Sequence, residues 1–230
     1  MENLLVGLWR AAEIEPATCH ARVLDDWAHA ALRSPAVQSL TVSVADADQG
    51  VYTVTADERG IVPNCDVLIA LGVERAHDLD DIPERSALYA VAREVKIWRV
   101  DIRTPASWER TWPDGEEAPG LKLVSFMRRA DGLSHEQFVR HWTERHAPLA
   151  LRHHIGLWNY RQNVVRRAFT PGGADVDGIA ELHFRSRDDF DTKFFDTDDG
   201  RTVIMTDVKR FMQRPSRDAA LMRELPLRTP

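Results

Sequence analysis

The chain predicts an α+β fold, with tandem ferredoxin-like βαββαβ repeats pairing as an α+β barrel. Three observations carry this. The order of predicted elements in the first half recurs in the second. Residues 104–120, rich in Pro, Gly and acid, separate the halves and have no period of their own. The halves also align internally: Leu4–Ala11 against Lys122–Arg129, Trp27 against Trp142, and Asp66–Gly72 against Asp177–His183. The division is therefore a degenerate repeat at 1–103, a linker at 104–120 and a second repeat at 121–230, each near the size of a small domain.

The elements follow in order. Leu4 to Arg10 is an apolar strand. Pro16 to Leu32 is a helix, with Pro at its start and Val23, Trp27 and Ala30 at helical spacing. Val37 to Val44 alternates as a strand, and Asp66 to Val73 is a short buried one. Asp81 to Ala92 is a helix carrying Ile82, Leu88 and Tyr89. Glu94 to Ile102 sets Val95 and Ile97 against Trp98, Val100 and Ile102. In the second half a strand at 120–129 precedes a helix from Ser134, whose capping box is completed by Gln137. Strands at 157–165 and 178–184 come next, then a helical stretch at 187–213. Ala219 to Leu225 is the candidate last strand, although its sequence serves equally as a helix.

Composition bounds the function. With a net charge of -6 there is no basic excess for nucleic acid. No apolar run reaches the roughly 18 residues of a membrane span. The N-terminus has no basic region followed by an apolar core, so a cytoplasmic protein with no membrane partner is expected. Cys19 and Cys65 lie far apart in unlike contexts, and two free buried thiols are expected. Nucleotide-binding glycine motifs and a nucleophile elbow are missing, so no nucleotide or flavin cofactor is indicated.

The motifs of the second half are more specific. Phe138, Trp142, His146, Ala147, Pro148 and Leu149 follow one another on the helix. Tyr160, Gln162 and Asn163 lie on one strand, and Asp177, Gly178, Glu181, Leu182 and Phe184 on the next. Together they resemble the EthD-like branch of the dimeric α+β barrel superfamily. The resemblance implies a barrel usually formed between two chains, which two copies in one chain would form internally. It also implies a histidine directed into the barrel cavity. Relatives include cofactor-free cyclases, isomerases, lyases and monooxygenases acting on phenolic or polyketide-like substrates, and others that bind haem.

The candidate chemistry lies in the second half. Phe138, Trp142 and His146 recur at i, i+4 and i+8, so His146 falls on a buried helix face. It is either a core histidine satisfied by a backbone carbonyl or a general base facing the cavity. Strand periodicity puts Ile179, Glu181 and His183 on one face and Ala180, Leu182 and Phe184 on the other. The apolar set should pack on the helices, leaving Glu181 and His183 either inside as a proton-transfer pair with pKa values near neutrality or salt-bridged on a solvated edge. Trp142, Tyr160, Gln162, Arg161 and Phe138 are the expected substrate contacts. Which face of 157–165 lines the cavity stays open. Six of the nine histidines fall between 135 and 183. However, His141 and His146 lie about 140° apart round an α-helix, so no metal site is expected. At the positions aligned with His146, Glu181 and His183 the first half has Ala31, Ala70 and Gly72, so it should form a cavity wall.

The expected activity is cofactor-independent acid/base chemistry on a small hydrophobic, aromatic or enolisable molecule. The alternatives are a non-catalytic small-molecule binding protein and then a haem enzyme. A homodimer of the tandem unit stays open.

Overall fold

The computed structural model describes residues 1–46, 65–77, 80, 82–213 and 219–229. The first half contributes β1 (Glu2–Arg10), α1 (residues 16–32), β2 (Val37–Ala45), β3 (Val67–Val73), α2 (Arg85–Tyr89) and β4 (Ala92–Ala106). The second contributes β5 (Leu121–Met127), α3 (residues 135–153), β6 (Leu157–Ala168), β7 (Gly178–Phe184), α4 (Arg187–Lys193), α5 (Asp198–Phe211) and β8 (Ala219–Arg228).

Among the described residues, eight strands close into one antiparallel barrel in the order β1-β3-β2-β8-β5-β7-β6-β4. The first four strands run β4-β1-β3-β2 and the last four β8-β5-β7-β6, which is the same order. The halves meet edge to edge, through β2 with β8 and β4 with β6. Closure removes every open sheet edge. Alternation along the strands then sorts side chains between two environments. Outward residues such as Val6, Leu40 and Ile69 pack with Val23 and Trp27 of α1. Leu123, Tyr160, Leu182 and Phe184 pack with Phe138 and Trp142 of α3. Inward residues from both halves, among them Leu5, Trp9, Leu68, Trp98, Val124, Phe126 and Ile179, form a third cluster inside the barrel.

Some boundaries differ from the sequence reading. β4 runs through Ala106, three residues into the predicted linker. α2 is shorter than the predicted 81–92 helix, because Glu84 adopts a left-handed backbone just before it and Ala92 already belongs to β4. Asp81 lies outside the described residues. The 187–213 stretch is two helices, capped separately by Ser186 and Thr197, whose hydroxyls accept from Asp189 N and Gly200 N. Ala219–Arg228 is a strand, because β5 and β2 flank it on both sides. α3 starts at the expected Ser134–Gln137 capping box. Gly120 has φ +81, and a Cβ there would lie 2.0 Å from Phe184 O, so only glycine brings the chain into β5.

Cys19 and Cys65 are free and buried, and burial pushes the Cys19 thiol up to about 11. No helix among the described residues is long and apolar enough to cross a membrane.

Each half alone would expose two unpaired strand edges, so a chain cut within 107–120 is expected to stay together. Cleaving an inserted protease site near Gly115 should leave both fragments co-eluting on gel filtration. Two stable monomers without mutual affinity would show that closure contributes nothing to holding the halves.

Candidate active site at the barrel mouth

Register places the polar interior at one end of the barrel, where β4 and β7 finish and β5 and β6 begin. Lys122 is paired with His183, Val124 and Arg161 with Glu181, and Asn159 with His183. Paired residues share a face. Lys122, Arg161, Glu181, His183 and, from β8, Glu224 therefore converge inside. Lys122, Glu181, Glu224 and His183 are each no more than 3% exposed.

Lys122 Nζ donates to Glu181 Oε2 at 2.5 Å and to Glu224 Oε2 at 2.7 Å. Asn163 Nδ2 donates to Glu181 Oε1 at 2.8 Å. Arg161 Nη1 approaches Glu224 Oε2 at 3.7 Å. Two cations thus face two carboxylates. Burial opposes the charge on Lys122, but the two carboxylates outweigh it and hold its pKa above the ordinary lysine value. Burial likewise works against the charges on Glu181 and Glu224. Lys122 and Arg161 prevail and hold both below the usual carboxylate range.

His183 differs. Burial pushes its pKa down to about 3; the Glu224 carboxylate resists this, and the Lys122 and Arg161 charges add to it. The imidazole is neutral at physiological pH, and its Nε2 has no hydrogen-bond partner among the described residues. Glu181 and His183 therefore do share the interior face, but not as a pair titrating near neutrality. Lys122 keeps the one charged, and burial keeps the other uncharged.

Three tryptophans cover this end. Trp158 is the extra residue of a bulge between Leu157 and Asn159, which re-aims its side chain. Trp108 and Trp112 come from the segment after β4. That segment is bound alongside β8 by Gly115 N to Pro226 O at 2.8 Å and Ala118 N to Glu224 O at 2.8 Å. The Trp108 ring lies 4.2 Å from that of His183 and 4.8 Å from that of Trp158. Trp112 lies 5.1 Å from Trp108. At the opposite end Trp9 and Trp98 pack on Phe126, at 5.6 and 5.5 Å.

The other expected site residues lie elsewhere. Phe138, Trp142, Tyr160 and Gln162 fill the layer between α3 and the outer face of β6 and β7. Trp142 Nε1 donates to Tyr160 Oη at 2.9 Å, and Gln162 Nε2 donates to the same oxygen at 3.1 Å. All four are at most 1% exposed and pack on the outer side of the sheet, away from the barrel mouth. Of the expected contacts, only Arg161 faces the interior. His146 does not face the barrel. Its Nδ1 meets Asp207 Oδ2 of α5 at 3.1 Å, and its ring packs on Phe211. It therefore cannot act with His183 on one substrate. His141 Nε2 meets the other oxygen of Asp207 at 2.9 Å. The α-helical angle separating these histidines does not apply, because Trp142–His146 is a π turn that brings residues five apart into line. Burial works against the Asp207 charge, but bonds from both imidazoles hold its carboxyl below the usual range.

The same packing bears on haem. The space between α3 and the sheet is filled by Phe138, Trp142, Tyr160 and Gln162, each at most 1% exposed, which leave no slot for a haem plane there. The residues there do not fit the group.

Sequence reading missed Lys122, Glu224, Trp108 and Trp112. A lysine alternating among Leu121, Leu123 and Val124 in an otherwise apolar strand was the one available signal.

The EthD domain family model matches residues 130–215. The match includes Trp158, Arg161, Glu181 and His183, while Trp108, Trp112, Lys122 and Glu224 fall outside it. The chain is similar to the crystal structure of an anthrone oxidase-like protein, with TM-score 0.60 and 11% identity over 98% of this chain and 92% of that one. It is also similar to chlorite dismutase from Candidatus Nitrospira defluvii, with TM-score 0.50 and 13% identity over 98% and 91%. These likenesses show the closed α+β barrel fold. No curated protein matches the chain.

Proposed function

Proceeding from residues 130–215 as an EthD domain, we propose that the barrel mouth binds a small aromatic or enolisable molecule and moves a proton on it without a cofactor, as a cyclase, isomerase or lyase would, or as the first step of a monooxygenase that takes O2 as its oxidant. The observation that carries this is His183, a buried neutral imidazole whose Nε2 lacks a partner and which lies under a tryptophan wall. Flat ligands suit such a wall, because ring faces stack with little loss of freedom. His183 Nε2 takes a proton from a carbon beside a carbonyl and the electron pair moves to the carbonyl oxygen; as the pair moves back, the proton returns to the same carbon, or to the far end of an adjoining C=C where the substrate has one. Glu181 and Glu224 lie close enough to favour the transient imidazolium. Lys122 holds those carboxylates and is a positioning residue.

A second reading, a binding protein without turnover, is favoured by one fact: a pKa near 3 makes His183 a weak base. Exchange of 2-tetralone protons in D2O, followed by NMR, separates the two. Wild type should speed exchange, and His183→Gln should reduce the enhancement at least about 10²-fold. Binding without exchange favours sequestration. Neither binding nor exchange removes the mouth as a ligand site.

The matching strand orders support tandem ferredoxin-like repeats arising by duplication. So do Trp27 and Trp142, each within a π-helical stretch of its long helix.

A further inference from the structure

On β6 the interior face presents Asn159, Arg161 and Asn163. Asn163 Nδ2 is engaged by Ile179 O and Glu181, and its Oδ1 is a buried acceptor with no partner among the described residues. The other two side chains are not engaged in this way. Asn159 is 3% exposed, and its side chain has no hydrogen-bond partner among the described residues. The Arg161 guanidinium makes no hydrogen bond among them either; its one ionic approach is the 3.7 Å to Glu224. Both carboxylates of the network are already bonded to Lys122. Trp112 Nε1 is also buried and unpartnered. The unused groups are mostly donors. A guanidinium offers five N–H and no acceptor, an amide two and an indole one.

Unused donors beneath an aromatic wall call for a ligand rich in acceptors and flat in shape. We infer that the mouth takes an aromatic or enolisable carboxylate, its anionic oxygens held by Arg161 with Asn159 and its ring against Trp108 and Trp158. The planar fork of a guanidinium matches the two oxygens of a carboxylate, which a neutral carbonyl cannot fill. Arg161 is thus a specificity-determining residue. This rests on the mouth being the ligand site.

Titration calorimetry with benzoate and 2-naphthoate, each against its neutral amide, tests the inference. Each carboxylate should bind at least tenfold more tightly than its amide. Arg161→Gln should weaken carboxylate binding at least tenfold and leave amide binding within twofold. If Arg161→Gln does not fold, the acid-against-amide comparison on the wild type still decides. Equal binding of acids and amides would overturn the anion specificity and leave the mouth as a site. No binding of any of the four, with the fold intact, would overturn both.

Discussion

Lys122→Met is expected to destabilise the fold by about 3–5 kcal/mol, the usual result of leaving buried charges without their partner. Glu181 and Glu224 would then share only Arg161, which lies 3.7 Å from Glu224. The size of the side chain is nearly kept, so the loss reports electrostatics rather than a cavity. Replacing all three members, as Lys122→Met with Glu181→Gln and Glu224→Gln, should recover most of it, because a neutral cluster needs no counter-charge. Relative to wild type, the single variant should gain from acid. Its stranded carboxylates gain by protonation, so its deficit against wild type should shrink between pH 7 and 5. Urea unfolding at the two pH values measures both effects. A deficit below about 1 kcal/mol at pH 7 would mean that Lys122 is not what sustains the buried carboxylates.

Wild-type stability is expected to fall as pH drops below about 6.5, well before ordinary carboxylates titrate. His183 is pushed down to about 3 and His154 to about 4, each chiefly by burial, from an ordinary value of 6.5. Between about 4 and 6.5 the unfolded chain binds protons on both that the folded chain refuses, and His20, lowered chiefly by burial, acts in the same direction. Stability therefore declines with falling pH, by up to about 1.4 kcal/mol per pH unit for each histidine. Glu181 and Glu224 have lowered pKa values. Their contribution is complete above the usual carboxylate value of 4.5 and is lost as pH falls through their folded values. At the alkaline end Lys122 is raised, so its contribution is lost as pH climbs through its folded pKa above 10.5. Burial raises Tyr160 to about 12, which also favours unfolding once the free phenol ionises above 10. Urea midpoints at pH 7.5, 6 and 5 should fall steadily, and His183→Gln should flatten the slope. A flat profile across that range, or an NMR titration of His183 near 6.5, would contradict its buried neutral state.

Features that depend on local period were legible in the residues alone. Alternation or a short apolar run marked seven of the strands, and alternation set Glu181 and His183 apart from Leu182 and Phe184. The Ser134–Gln137 pair marked the start of α3. The eighth strand stayed ambiguous because β8 is specified by β2 and β5 on either side of it, not by its own residues. Burial of His146 was legible, but what it is buried against was not: an apolar stripe reads the same against a sheet or a neighbouring helix. A π turn then carried His141 and His146 together onto Asp207, where α-helical angles kept them apart. On 157–165, alternation defined two faces without saying which was inside, and closure of the barrel gave the interior to Arg161 and left Tyr160 and Gln162 to the helices. The ion network was decided only by tertiary structure, because Lys122 meets Glu181 across 59 residues and Glu224 across 102. Trp108 and Trp112 likewise sit in a segment without periodicity, and they become the wall of the mouth because that segment is bound along β8 over the end of the barrel.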